Sequence, residues 1–91
     1  MRYVYLLKSI NKDFFYVGST NNLEKRLEEH SQGKSRTTKR YLPLRLVYYE
    51  AFASDYDANM REEKLKQYGS SLQNLKQRIK NSIKGGAGCG Y

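Results

Sequence analysis

The chain has 91 residues, room for one domain and a modest core. Seventeen Lys and Arg against nine Asp and Glu give a net charge of +8, which favours a polyanionic partner, nucleic acid first. The one cysteine, Cys89, excludes a disulfide framework and a Cys-based zinc site and fits a reducing, cytoplasmic setting; no apolar stretch approaches the ~20 residues of a membrane span.

Residues 2–8, rich in Tyr, Val and Leu, read as a strand. A polar turn over Ser9 to Asp13 leads to a second short strand, Phe14 to Val17, ended by Gly18; the two suggest an antiparallel hairpin. Asn21 or Asn22 caps a helix over residues 22–32, Asn21 with Glu24 having the spacing of a capping box, and Gly33 is a natural stop. Residues 34–45 form a basic connection without an acidic residue, leaving at Pro43. Leu44 to Tyr49 make a third strand whose nearly continuous apolar content suits a central position. Ser54 or Asp55 caps a second helix over 56–68, stopped by Gly69. Ser70 or Ser71 caps a third over 72–83, with Leu72, Leu75, Ile79 and Ile83 on one face. The expectation is one α+β domain over 1–84, a three-stranded sheet with three helices, and a disordered Gly-rich tail over 85–91.

Turning the helices on their axes exposes an anomaly. On the first, Leu23 and Leu27 define the inward stripe, and at about 100° per residue Arg26 and His30 fall on it too. Glu24, Lys25, Glu28 and Glu29 fall on the solvated side. One account is that Arg26 snorkels and His30 is a satisfied core histidine; the other is that both face a cleft. On the second helix, Ala58 and Leu65 mark the inward face, and Glu62 lies between them. An inward carboxylate is costly unless it is paired, here with Arg26 or Arg61, or binds a cation. Tyr3, Tyr5 and Tyr16 cluster on the hairpin, Tyr3 and Tyr5 on one face by strand alternation.

A basic cleft with one carboxylate, an Arg, a His and Tyr hydroxyls suits phosphoryl transfer. A metal ion polarises a phosphoryl oxygen, Arg neutralises charge on the phosphate, and His or Tyr moves the proton of an attacking water. A single carboxylate is typical of Mg²⁺, which keeps most of its waters.

At these residues the sequence resembles the GIY-YIG nuclease superfamily. Tyr3-Val4-Tyr5 corresponds to its first motif and Tyr16-Val17-Gly18 to its second. Ser19 to Leu23 and Arg26 to His30 look like its helix with the functional Arg and a His one turn later. Ala58 to Lys66, with Arg61-Glu62, looks like its metal-binding helix, and Asn74 follows at a spacing similar to that of a supporting Asn in several members. The likeness covers residues 1 to 82 and is specific as a constellation rather than by any tripeptide. It is nearest to small bacterial GIY-YIG proteins related to the N-terminal domain of an excinuclease component, which points towards DNA repair.

The resemblance implies an antiparallel three-stranded sheet flanked by helices, and an endonuclease directed by substrate structure that uses Mg²⁺ or Mn²⁺. It implies Tyr5 as general base with Tyr16 as partner, Arg26 on the scissile phosphate, His30 assisting proton transfer, Glu62 on the metal, and Asn74, or failing that Asn81, fixing geometry. Ser19 stands where some members carry a Lys. The partner expected is nucleic acid, DNA ahead of RNA, with Lys34, Arg36, Lys39 and Arg40 on its backbone. The rival reading is a catalytically weak nucleic-acid-binding module of the same fold.

Overall fold

The computed structural model describes residues 1–67 and 69–84, so the expectation for the 85–91 tail lies outside the described residues. Three strands, β1 (Arg2–Ser9), β2 (Phe15–Thr20) and β3 (Leu44–Phe52), form one antiparallel sheet in the order β2-β1-β3. Helix α1 (Leu23–Ser31) follows β2. Helices α2 (Asp55–Lys66), α3 (Ser70–Arg78) and α4 (Lys80–Lys84) follow β3. The antiparallel α+β architecture is the one the sequence implies.

The central strand is β1, not β3. Val4, Tyr5, Leu6 and Leu7 are all buried, because both neighbours pair with β1 and both of its faces are covered. The misleading apolar run in β3 has a local cause. Leu7 pairs with Leu46 but Leu6 pairs with Tyr48, so Val47 is an extra residue in a bulge. Before the bulge Leu44 and Leu46 serve the α1 face; after it Val47 and Tyr48 serve the other. An edge strand that changes face mid-way reads as continuously apolar.

On one face, Val4, Leu6 and Val17 pack with Ala58 and Leu65 of α2 and Leu72 and Leu75 of α3. On the other, Tyr5 and Leu7 pack with Leu27 of α1 and Leu44. The ends of α1 are well specified. Asn22 Oδ1 accepts the Lys25 amide at 3.1 Å, so the cap is Asn22 and the Asn21–Glu24 capping box does not form. Gly33, at φ +75°, closes a Schellman motif, its N–H bonding the His30 carbonyl while that of Lys34 bonds the Glu29 carbonyl. Ser54 caps α2 as expected.

Two boundaries differ from expectation. β2 continues through Gly18 to Thr20, because β1 supplies partners as far as Tyr3. The third helix is two helices, broken at Ile79, and its N-cap is Gly69 without a side-chain bond; Ser70 is already helical, past the position from which a hydroxyl reaches forward to free amides. Arg45 on β3 donates to the carbonyls of Ser82 (2.8 Å) and Ile83 and so ties α4 to the sheet. Among the described residues no helix is long and apolar enough to cross a membrane.

Candidate active site

Strand alternation puts Tyr5 on the α1 face of the sheet, opposite Gly18 of β2. Its ring leans across that glycine. A Cβ on residue 18 would lie 2.4 Å from the Tyr5 hydroxyl and 2.9 Å from the Tyr16 ring, so only glycine fits. The Tyr5 hydroxyl then lies 3.0 Å from Nε2 of His30. The far nitrogen of that imidazole, Nδ1, is 2.8 Å from Oγ1 of Thr38, in the basic connection. All three residues are at most 1% exposed, and each hydroxyl or ring nitrogen is satisfied within the set. Tyr16 closes the group, with ring centroids 5.4 Å from His30 and 6.3 Å from Tyr5.

Burial sets the protonation of this chain. It pushes the Tyr5 phenol up to about 12; the nearby Arg26 guanidinium opposes that rise, and Tyr16 and Glu62 add to it. Burial also holds His30 down at about 4, helped by the Arg26 charge and opposed by Glu29. Near neutral pH the phenol therefore keeps its proton and the imidazole is neutral, with one nitrogen free to accept.

Charged side chains reach this group from two helices. Arg26 of α1 is half-buried and pairs with Glu29 at 3.1 Å. Burial disfavours its charge, but bonds to Tyr5 and Glu29 prevail, and its pKa is raised. Glu29, expected on the solvated side, is thus half-buried and anchors the arginine. Glu62 of α2 is half-buried too, and its partner is neither Arg26 nor Arg61 but Lys66, one turn on, at 3.0 Å. Arg61 instead grips Glu50 of β3 at 2.9 and 3.2 Å. The Lys66 ammonium also stands 5.8 Å from the Tyr16 ring centroid, so a cation reaches the second tyrosine from α2 while Ser19 is taken by Arg2.

The structure thus gathers Tyr5, Tyr16, Arg26 and His30, and brings Glu62 near enough to act on the Tyr5 phenol. Asn74 is exposed on α3 and Asn81 on α4, and neither is gathered with them by any hydrogen bond described for the site. Lys34, Arg36, Lys39 and Arg40 lie in the connection after α1, where Arg36, Lys39 and Arg40 line one shallow depression. A larger depression, about 640 Å³, lies elsewhere, between the start of α1 and Tyr3 and Tyr49, and none of the expected catalytic residues lines it.

Thr38 and Lys66 escaped the sequence reading, and Gly18 was read as a strand end and motif glycine but not as the seat of the Tyr5 ring. Gly18 left a signal, a glycine inside a strand pattern, which marks close approach of another group. Lys66 left a weaker one, its position one turn after Glu62. Thr38 left none, since only tertiary folding brings the connection under α1.

A lone half-buried carboxylate such as Glu62 has the chemistry that would suit one hard, hydrated divalent ion. Among the described residues no group of three or more His, Cys, Asp or Glu side chains could form a fuller metal cage.

A small α+β domain that gathers tyrosine hydroxyls, an arginine and a neutral histidine near one carboxylate holds groups suited to phosphoryl transfer, as in a nuclease-like protein. Residues 1–71 match the GIY-YIG catalytic domain, and the chain belongs to that family. Members of the family generally use divalent metal ions. Among its relatives are UPF0213 protein CPE1444 of Clostridium perfringens, 42% identical over 72% of this chain and 71% of that protein, and UPF0213 protein SH2523 of Staphylococcus haemolyticus, 40% identical over 81% and 89%. The solution structure of UPF0213 protein BH0048 from Bacillus halodurans aligns with a TM-score of 0.54 at 28% identity, covering 96% of this chain and 98% of that one.

Proposed function

We propose that the protein is a structure-directed endonuclease that hydrolyses phosphodiester bonds, of DNA ahead of RNA, with one Mg²⁺ or Mn²⁺ ion, in the cytoplasm and in a repair-like role. The observation that carries this reading is the buried Tyr5–His30–Thr38 chain lying against a half-buried Arg26.

The proton path follows from those bonds. A phenol held near 12 is a poor base alone, since it starts protonated. It becomes a competent one when its proton leaves as the water's arrives. His30 Nε2 is 3.0 Å away, neutral, and able to accept. In the tautomer whose Nδ1–H donates to Thr38 Oγ1, Nε2 is left free to accept from Tyr5. Tyr5 therefore orients the water and relays its proton to His30. Tyr16 adds a second hydroxyl-bearing ring beside them. Arg26 binds the scissile phosphate and neutralises charge that develops on it, and Glu29 aims the guanidinium. Glu62 is the residue to hold the divalent ion, with Lys66 as its partner when the ion is absent. An ion held there would supply Lewis-acid stabilisation of charge on the phosphate. Asn74 is assigned a supporting role by resemblance alone. Lys34, Arg36, Lys39 and Arg40 contact the nucleic-acid backbone.

Glu62→Ala is the direct test, on a panel of branched, single-stranded, duplex and RNA substrates. Wild type cuts with Mg²⁺ or Mn²⁺ and stops with chelator, and Glu62→Ala loses at least about 10²-fold in cleavage while still binding. Equal cleavage by the variant would sink the site. Wild type that binds but never cuts would make the protein a binding module.

A further inference from the structure

Three shallow depressions on the described surface share walls in series. The first, about 430 Å³, is lined by Phe14, Arg36, Thr37, Lys39, Arg40 and Tyr41. Phe14 and Thr37 also line the second, about 340 Å³, with Tyr16 and Lys66. Lys66 in turn lines the third, about 440 Å³, beside Asn59 and Glu62. The shared residues order them into one groove. It starts in the basic connection, passes Tyr16 and ends at Glu62.

Its chemistry changes along that line. At the start three cations, Arg36, Lys39 and Arg40, line the wall, and the chain has no acidic residue between Glu29 and Glu50 to offset them. The same stretch is aromatic. Phe14 and Tyr41 stack face to face, with centroids 3.7 Å apart and planes 4° apart, and the Lys12 ammonium stands 5.4 Å from the Tyr41 centroid. In the middle, Tyr16 continues the aromatic wall with Lys66 over its ring, while the Phe15 ring packs towards the α2–α3 core and carries Lys76 at 4.0 Å. Only the far end is acidic, at Glu62 and Glu63.

Cations beside aromatic walls are the pair of features that hold a single strand. The cations track phosphates, and the rings stack on bases that no opposite strand occupies. A duplex keeps its base faces against each other and leaves such rings without a partner. We propose that the groove is the path of one unpaired strand, so that the substrate carries a single-stranded segment on the side of the scissile phosphate that runs from Tyr16 to Arg36, Lys39 and Arg40. The proposal rests on the nuclease reading for the position of the cut, but not for the binding surface itself.

The test uses the full-length Glu62→Ala protein, so that binding is measured without cutting. The probes are a single-stranded oligonucleotide, a blunt duplex and the same duplex with an overhang, read by anisotropy, with 2-aminopurine in the unpaired segment to report stacking. The single strand and the overhang are expected to bind at least tenfold tighter than the blunt duplex. Replacing Arg36, Lys39 and Arg40 together by Ala should weaken that binding more than tenfold and lower the salt slope by about 2, at ~0.7 per phosphate contact on a single strand. Phe14→Leu keeps apolar bulk but removes a π face. It should reduce the fluorescence change and weaken binding about fivefold or more while the salt slope stays put.

If Phe14→Leu fails to fold, the triple variant in the connection still decides the matter. Equal affinity for blunt duplex, or a triple variant that binds as its parent does, overturns the groove. Cleavage by wild type alongside equal binding of blunt duplex would reject the path and leave the nuclease standing. Selective single-strand binding by a protein that never cuts would do the reverse.

Discussion

Behind the sheet, Val4, Leu6 and Val17 meet Ala58, Leu65, Leu72 and Leu75, an apolar core. In front, Leu7, Leu27 and Leu44 surround a phenol, an imidazole and a hydroxyl bonded in series, with Arg26 reaching the phenol. The same central strand serves both, its even residues facing one core and its odd residues the other. The apolar side gains stability from burial alone and tolerates reshaping at a graded cost. The polar side depends on all of its members at once, because losing one leaves the next unpaired and buried. In this small domain, the buried polar chain and the larger apolar core lie on opposite faces of one sheet, and α2 on the apolar side brings Glu62 and Lys66 towards the polar group.

Three experiments put that division at risk. The largest effect on folding is expected from Leu65→Ala, which opens a cavity behind the sheet and should cost about 2–5 kcal/mol in urea unfolding. Cleavage per folded molecule should be retained; a matching collapse in kcat would show that the two faces are not separable. Gly18→Ala should reverse the proportions. Overpacking against Tyr5 should cost about 1–3 kcal/mol. Displacing that hydroxyl from His30 should lower cleavage about 10²-fold, more than the folding loss explains. Crystallography or NMR of the variant would show whether the Tyr5–His30 bond has lengthened.

The gentlest probe is pH. His30 titrates near 4 in the fold against about 6.5 when unfolded, so between those values the unfolded chain binds more protons. Stability should therefore fall as pH drops from about 6.5 towards 4, with a slope of at most one proton. His30→Gln should flatten that limb. An unchanged limb in the variant would mean that other groups carry it.

The α1 stripe was legible because helical phase is local. Leu23, Leu27, Arg26 and His30 fall on one line whatever they meet, and His30 does prove buried. The element order and the β1–β2 hairpin followed from periodicity and turn residues, and the fully antiparallel sheet from the motif likeness. What escaped was decided by partners distant in sequence. Strand β3 looked central because a bulge switches its face, and a bulge has no period to read. Glu62 was correctly suspected as a partly inward carboxylate, but its partner was mistaken, since Lys66, Arg26 and Arg61 were all within plausible reach. Thr38 was invisible: nothing in a polar, basic connection singles out the one hydroxyl that folds beneath a histidine.

The contact between Tyr5 and Gly18 also has a temporal side. A buried phenol packed tightly over a neighbouring strand turns about its Cβ–Cγ axis only as the packing between β1 and β2 loosens. The rate at which the two sides of that ring exchange in NMR spectra is therefore a clock for the loosening of the sheet edge. The hydroxyl oxygen lies on that axis, so the ring can turn while its bond to His30 persists.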